Sequence, residues 1–126
     1  MELIRVAVVE SPLTDRAAAP KQGDEGAPEA TIVFGHMGAY FHSEDALAVA
    51  ERCENVMLET SACPYPQRIG EAVRRVGAER VIFGSDGPGC PPAIELDKVR
   101  RAGLSPADLR KVLHDNQRAL MDRVER

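Results

Sequence analysis

From residue 31 onward, short apolar runs alternate with longer stretches whose hydrophobic positions recur at helical spacing. TIVF (31–34) reads as a buried strand and ends in a Gly35-His36-Met37-Gly38 turn. SEDALAVAERC (43–53) carries apolar residues at 46, 47, 49 and 50, which predicts a helix with Ser43 as N-cap and acids in its first turn. NVMLETS (55–61) returns to strand texture. PQRIGEAVRRVG (66–77) predicts a helix with Pro66 at its first position and Gly77 just past its end. RVIF (80–83) is a third strand. Residues 92–101 predict a helix that stops near Gly103. Ser105 caps another, running to about His114, and a last helix spans 116–124. Strands and helices alternating at this spacing imply parallel strands with right-handed crossovers, so the fold class is α/β.

The first 30 residues have a different texture. LIRVAVV (3–9) predicts a strand by its β-branched content, a fourth strand for the exposed sheet edge. Residues 11–30 show neither period and carry three prolines, two glycines and several charges, the composition of a linker. Twenty structureless residues are too many for a connection within a compact domain. We therefore divide the chain into 1–27, an unassigned strand and linker, and 28–126, the α/β portion.

Composition narrows the function classes. A chain of 126 residues makes one domain with a modest core. Aromatics are only 4%, so that core must be built of Val, Ile, Leu and Ala. A formal net charge of -4 argues against a nucleic-acid footprint, and no apolar run reaches the length of a membrane span. The start MELIRVAVVESP lacks the basic leader of a secretory signal, and Cys53, Cys63 and Cys90 form no C-x-x-C pair. Free thiols and a cytoplasmic location are expected.

In parallel α/β sheets ligands meet the residues just past the strand C-termini. Three such ends fall on one rim here: Gly35 to Gly38, Glu59-Thr60-Ser61 and Gly84 to Gly87. Asp86 follows an apolar strand among small residues, where a carboxylate can bind a cation and take a proton from bound water, or close an Asx-turn. His36, between glycines, can act as acid, base, metal ligand or carbonyl-polarising group, or be a turn histidine bonded to backbone. His42 either caps the following helix locally or joins His36 around a metal, and Glu59 is expected to pair with a neighbouring Arg or line the cavity. Ser61 either donates to a substrate or closes a turn. No basic cluster activates Cys63 or Cys90 as a nucleophile, and His114 reads as structural. The Gly84 to Gly89 loop lacks both the P-loop Lys-Ser/Thr and the G-x-G-x-x-G spacing, so a phosphate cradle there is a weak option.

Taken together, IVFGHMG (32–38), NVMLETS (55–61), RVIFGSDGP (80–88) and LSPADLRKVLHDNQRALM (104–121) resemble the final third of amidohydrolase-related metal-dependent hydrolases. That branch of the amidohydrolase superfamily includes decarboxylases acting on aromatic and conjugated acids. The resemblance covers roughly residues 28–124 and implies a partial (β/α)8 TIM barrel, with TIVF, NVMLET and RVIF as its sixth, seventh and eighth strands. It further implies a divalent metal, zinc above all, with Asp86 as metal ligand and general base. His36 becomes the histidine that polarises the substrate or the attacking water, and the substrate is a small molecule. The family's His-x-His pair is absent from this sequence. Activity is therefore expected to need a homo-oligomer or a partner chain that completes the barrel. The competing expectation is a non-catalytic remnant or binding module that has lost the metal.

Overall fold

The computed structural model describes residues 6–9, 31–39 and 41–124. Four parallel strands form one sheet in the order β1 (Val6–Val9), β2 (Thr31–Phe34), β3 (Val56–Glu59), β4 (Val81–Ile82). The register pairs Val9 with Phe34, Phe34 with Leu58, and Leu58 with Val81. The strand expected within residues 3–9 thus pairs with β2, while the linker expected over 11–30 lies outside the described residues.

Spatial order follows chain order without reversal. Right-handed crossovers then put each connecting helix on the same face, the winding of a barrel, whereas a doubly wound sheet reverses direction at a switch point. The helices are α1 (Ser43–Arg52), α2 (Pro66–Val76), α3 (Pro92–Arg100), α4 (Pro106–Arg110) and α5 (Asn116–Val124). Phe34, Val56, Leu58 and Val81 meet Leu47, Ile69, Val99 and Val112 in the core between sheet and helices. Burying an aliphatic side chain of this size contributes about 1.5–3 kcal/mol, so this layer holds the sheet to its helices.

Several local expectations shift by a residue or two. Ser43 opens α1 as its first residue; His42 occupies the N-cap position, and its ring lies 3.3 Å from Asp45 Oδ2 in the first turn. The strand predicted over 55–61 is confined to Val56–Glu59 because its last residues turn into the loop that carries Ser61. Arg80 belongs to a 3-10 turn (Ala78–Arg80) ahead of β4. Its guanidinium donates to the carbonyls of Val76, Ala50 and Cys53, tying down the C-terminal ends of α2 and α1. Ser105 caps α4 as expected, accepting from the Asp108 N–H at 3.1 Å.

Between α4 and α5 the helix widens into a π turn at Lys111–Asp115. The released Val112 carbonyl accepts from Phe83 N–H at 3.0 Å. Gln117 Nε2 donates to the Phe83 carbonyl at 3.0 Å, and Asn116 Nδ2 donates to the carbonyls of Val81 and Ala78. The Ile82 carbonyl bonds the Thr60 N–H toward β3, so by alternation these groups of Val81 and Phe83 lie on the opposite edge. A three-stranded barrel piece with a bare edge invites association; here polar groups of the C-terminal segment cover the β4 edge.

Candidate functional site

The C-terminal ends of β2, β3 and β4 lie side by side, as the parallel register requires. After β2, His36 takes up a left-handed backbone conformation at φ 61° and ψ 14°. Gly38 follows at φ 82°, where an added Cβ would stand 3.0 Å from both Ala46 Cβ and Ser43 N, so only glycine fits that turn. The left-handed backbone aims the His36 N–H at Glu59 Oε2, 3.1 Å away on the end of β3.

Glu59 and Ser61, two residues apart, project toward the same side. Glu59 Oε1 accepts from Ser61 N–H at 2.7 Å, and Oε2 accepts from Ser61 Oγ at 2.7 Å. His36 Nδ1 lies 2.9 Å from Ser61 Oγ and 3.2 Å from the Ser61 carbonyl oxygen. The carbonyl can only accept, and the serine proton is already committed to Glu59. Nδ1 therefore carries the hydrogen of the neutral ring, and Nε2 keeps a lone pair with no partner among the described residues. Glu59, expected either to line the cavity or to pair with an Arg, pairs with no Arg among the described residues and gathers two backbone N–H groups and one hydroxyl. Gly84 makes room for it: a Cβ there would stand 1.9 Å from Glu59 Oε1.

Asp86 sits in the loop after β4, exposed and at φ 52°. Its carbonyl accepts from Cys90 N–H at 3.1 Å, and its carboxylate makes no hydrogen bond or ion pair among the described residues. With Glu59 packed on Gly84 and Asp86 two residues on, the loop presents negative charge, which disfavours the phosphate cradle. Among the described residues no three of His, Cys, Asp and Glu gather where they could hold a metal ion. Three protein ligands are usual for a catalytic zinc, so the described residues do not by themselves fit a resident divalent ion. Among the described residues after Phe34, Glu59 and Ile82, the Asp86 carboxylate and His36 Nε2 are left unengaged.

Away from this rim, Cys53, Cys63 and Cys90 are free, and burial pushes the Cys63 thiol above the ordinary thiol range, which suits no nucleophile. His114 is exposed beside Asp115. No helix of the described residues is long and apolar enough to cross a membrane.

The amidohydrolase family model matches residues 25–123, most of the chain. The chain belongs to the amidohydrolase family. Among solved structures, an uncharacterised TIM-barrel protein from Bordetella bronchiseptica superposes with a TM-score of 0.69 at 24% identity, over 79% of this chain and 36% of that one. A dihydroxybenzoic acid decarboxylase from Polaromonas sp. JS666, bound to manganese and the inhibitor 2-nitroresorcinol, gives 0.61 at 22% identity over 79% and 35%. The 5-carboxyvanillate decarboxylase of Sphingomonas paucimobilis gives 0.57 at 21% over 77% and 34%. These likenesses establish the fold, a partial amidohydrolase barrel, and the chain spans about a third of the length of those proteins. Zinc was the expected family metal; the metal-bearing relative among these holds manganese. No curated protein matches the chain significantly.

Proposed function

We propose that this amidohydrolase chain contributes the last three βα units and one side of the active site to a metal-dependent hydrolase or decarboxylase. Its substrate in this reading is a small carboxylic acid, as in the decarboxylases it resembles in fold. Asp86 is the metal ligand this chain offers. The remaining ligands come from outside the described residues, through assembly with a partner chain or a second copy.

The observation that carries this reading is the contact of His36 Nδ1 with Ser61, whose hydroxyl donates to Glu59. Because Nδ1 donates to Ser61, neutral His36 presents an acceptor at Nε2 and takes a proton there from water or a substrate hydroxyl. Once protonated, Nε2 becomes a donor, and the imidazolium charge is matched through Ser61 Oγ by the Glu59 carboxylate. The assignment of a carbonyl-polarising role is thereby restricted to the protonated ring.

Elemental analysis for manganese and zinc tests the proposal, on protein purified after growth in metal-supplemented medium. Close to one metal per chain, lost in Asp86→Ala with the fold retained, is the expected result. Metal at background in the native chain overturns completion of the site by a second copy, and metal still at background after co-purification with a partner chain overturns the proposal. The absence of a three-ligand cluster among the described residues favours a second reading, a metal-free binding module, in which Asp86→Ala changes no bound-metal content.

A further inference from the structure

A buried ion pair on α3 brackets the residue that holds His36. Glu95 and Lys98 are one helical turn apart, their side chains only 8% and 10% exposed, and Lys98 Nζ donates to Glu95 Oε2. Neither group spends its remaining hydrogen bonds within α3. Lys98 Nζ donates to the Thr60 carbonyl at 2.8 Å, and Glu95 Oε2 accepts from the Ala62 N–H at 3.2 Å. These are the backbone groups on either side of Ser61. Ala62 sits at φ 50°, a conformation a non-glycine residue adopts only when its surroundings hold it there.

We infer that Glu95 and Lys98 are positioning residues for His36: by gripping Thr60 and Ala62 they set the angle at which Ser61 receives Nδ1–H, and so fix the histidine tautomer. A charged pair withdrawn from water is costly to keep, and replacing one with apolar residues is often neutral or stabilising, so core stability alone gives little reason for it at this place. Two charged groups can hold a carbonyl and an N–H of one loop simultaneously, which an apolar pair cannot. The functional meaning rests on the role proposed for His36, whereas the positional coupling does not.

Nitrogen-15 NMR of the histidine rings in the full chain reads the tautomer directly and needs neither metal nor turnover. The expected result is a neutral His36 with protonated Nδ1 in the native chain. Ser61→Ala removes the Oγ acceptor and keeps the backbone carbonyl of residue 61, so it should weaken this signature without abolishing it. Glu95→Gln and Lys98→Met, still folded by circular dichroism, should give averaged ring shifts of a tautomer mixture, and Lys98→Arg should recover the native pattern. Either folded variant keeping the native His36 shifts overturns the inference. Should neither fold, amide exchange in the native chain decides. The Ala62 N–H should exchange in step with Ser61 N–H; an unprotected Ala62 N–H beside a protected Ser61 N–H overturns it. Failure of the metal analysis alone would leave this coupling standing and remove only its catalytic purpose.

Discussion

Gly84→Ala puts a methyl group where Glu59 holds its carboxylate, and its cost measures how rigidly the rim is built. The added Cβ would lie 1.9 Å from Oε1, 2.7 Å from Cδ and 3.2 Å from Cγ of Glu59. Carbon and oxygen do not approach within about 3 Å, so Oε1 must retreat by about 1 Å or more. A carboxylate at the end of a flexible side chain usually yields cheaply. This one accepts from His36 N–H, Ser61 N–H and Ser61 Oγ, and moving it lengthens or breaks at least the 2.7 Å bond to Ser61 N–H. Hydrogen bonds to a charged acceptor contribute about 1.5–3 kcal/mol each, so losing one and weakening a second costs about 2–4 kcal/mol. Gly84 is not among the positive-φ residues, so alanine brings no backbone strain of its own.

Urea unfolding of four proteins resolves the effect: native, Gly84→Ala, Glu59→Ala and the double variant. With a urea slope of about 2 kcal/mol per molar, Gly84→Ala should lower the midpoint by about 1–2 M in the native background. In the Glu59→Ala background the same change should be neutral or slightly stabilising, since alanine restricts the unfolded chain. The coupling should therefore approach the full cost of the single change. Equal destabilisation in both backgrounds would show that the glycine accommodates something other than Glu59. A harmless Gly84→Ala with Glu59 present would show a freely moving carboxylate and remove the rigid Glu59–Ser61–His36 chain.

Three further outcomes follow from other parts of the fold. Asn116→Ala removes the side-chain donor to the Val81 carbonyl and leaves Ala78's carbonyl with the Val81 N–H alone, and should cost about 1–3 kcal/mol by urea unfolding, with more self-association on size-exclusion chromatography as the β4 edge opens. On the α1–α2 surface, ion pairing with Arg75 lowers Glu51, and Glu71 is lowered against desolvation by Arg75 and Arg68. Their folded values lie below the unfolded 4.5, so this contribution is complete above that pH and is lost as pH falls through the folded values. The unfolding midpoint should consequently decline more as pH falls below 4.5 in the native chain than in Arg75→Met, and high salt should shrink the difference. Cys63, its thiol raised by burial, should react with iodoacetamide well after Cys53 and Cys90, as mass spectrometry of the alkylated peptides would report.

What could be read from the chain and what could not divides along a physical line. The strands, the helices and the shared rim rest on periodicity and on Gly and Pro punctuation, which are local. Thus the sequence alone assigns His36, Glu59 and Asp86 to strand ends. The sequence leaves Glu59 either lining the cavity or pairing with an Arg, because its partners, His36 N–H and Ser61, depend on the left-handed backbone at residue 36 and on an empty space at residue 84. Two signals hinted at it: Glu59 and Ser61 at i and i+2 share a face, and a glycine ends the next strand. The Glu95–Lys98 pair carries no such hint, since an i, i+3 acid–base pair on a helix ordinarily marks a solvated face. Only the packing of α3 against the β3 loop turns it inward. The same limit applies to the β4 edge, where Asn116 and Gln117 look like ordinary polar residues of a C-terminal helix. Their bonds to Val81 and Phe83 constrain assembly: a strand added beyond β4 must displace those bonds, whereas the outer side of β1 pairs with none of the other three strands. Under the proposed assembly, a chain that completed this rim would meet fewer bonds to displace at β1 than at β4 among the described residues, and Asn116→Ala, by freeing the β4 edge, should reduce that difference.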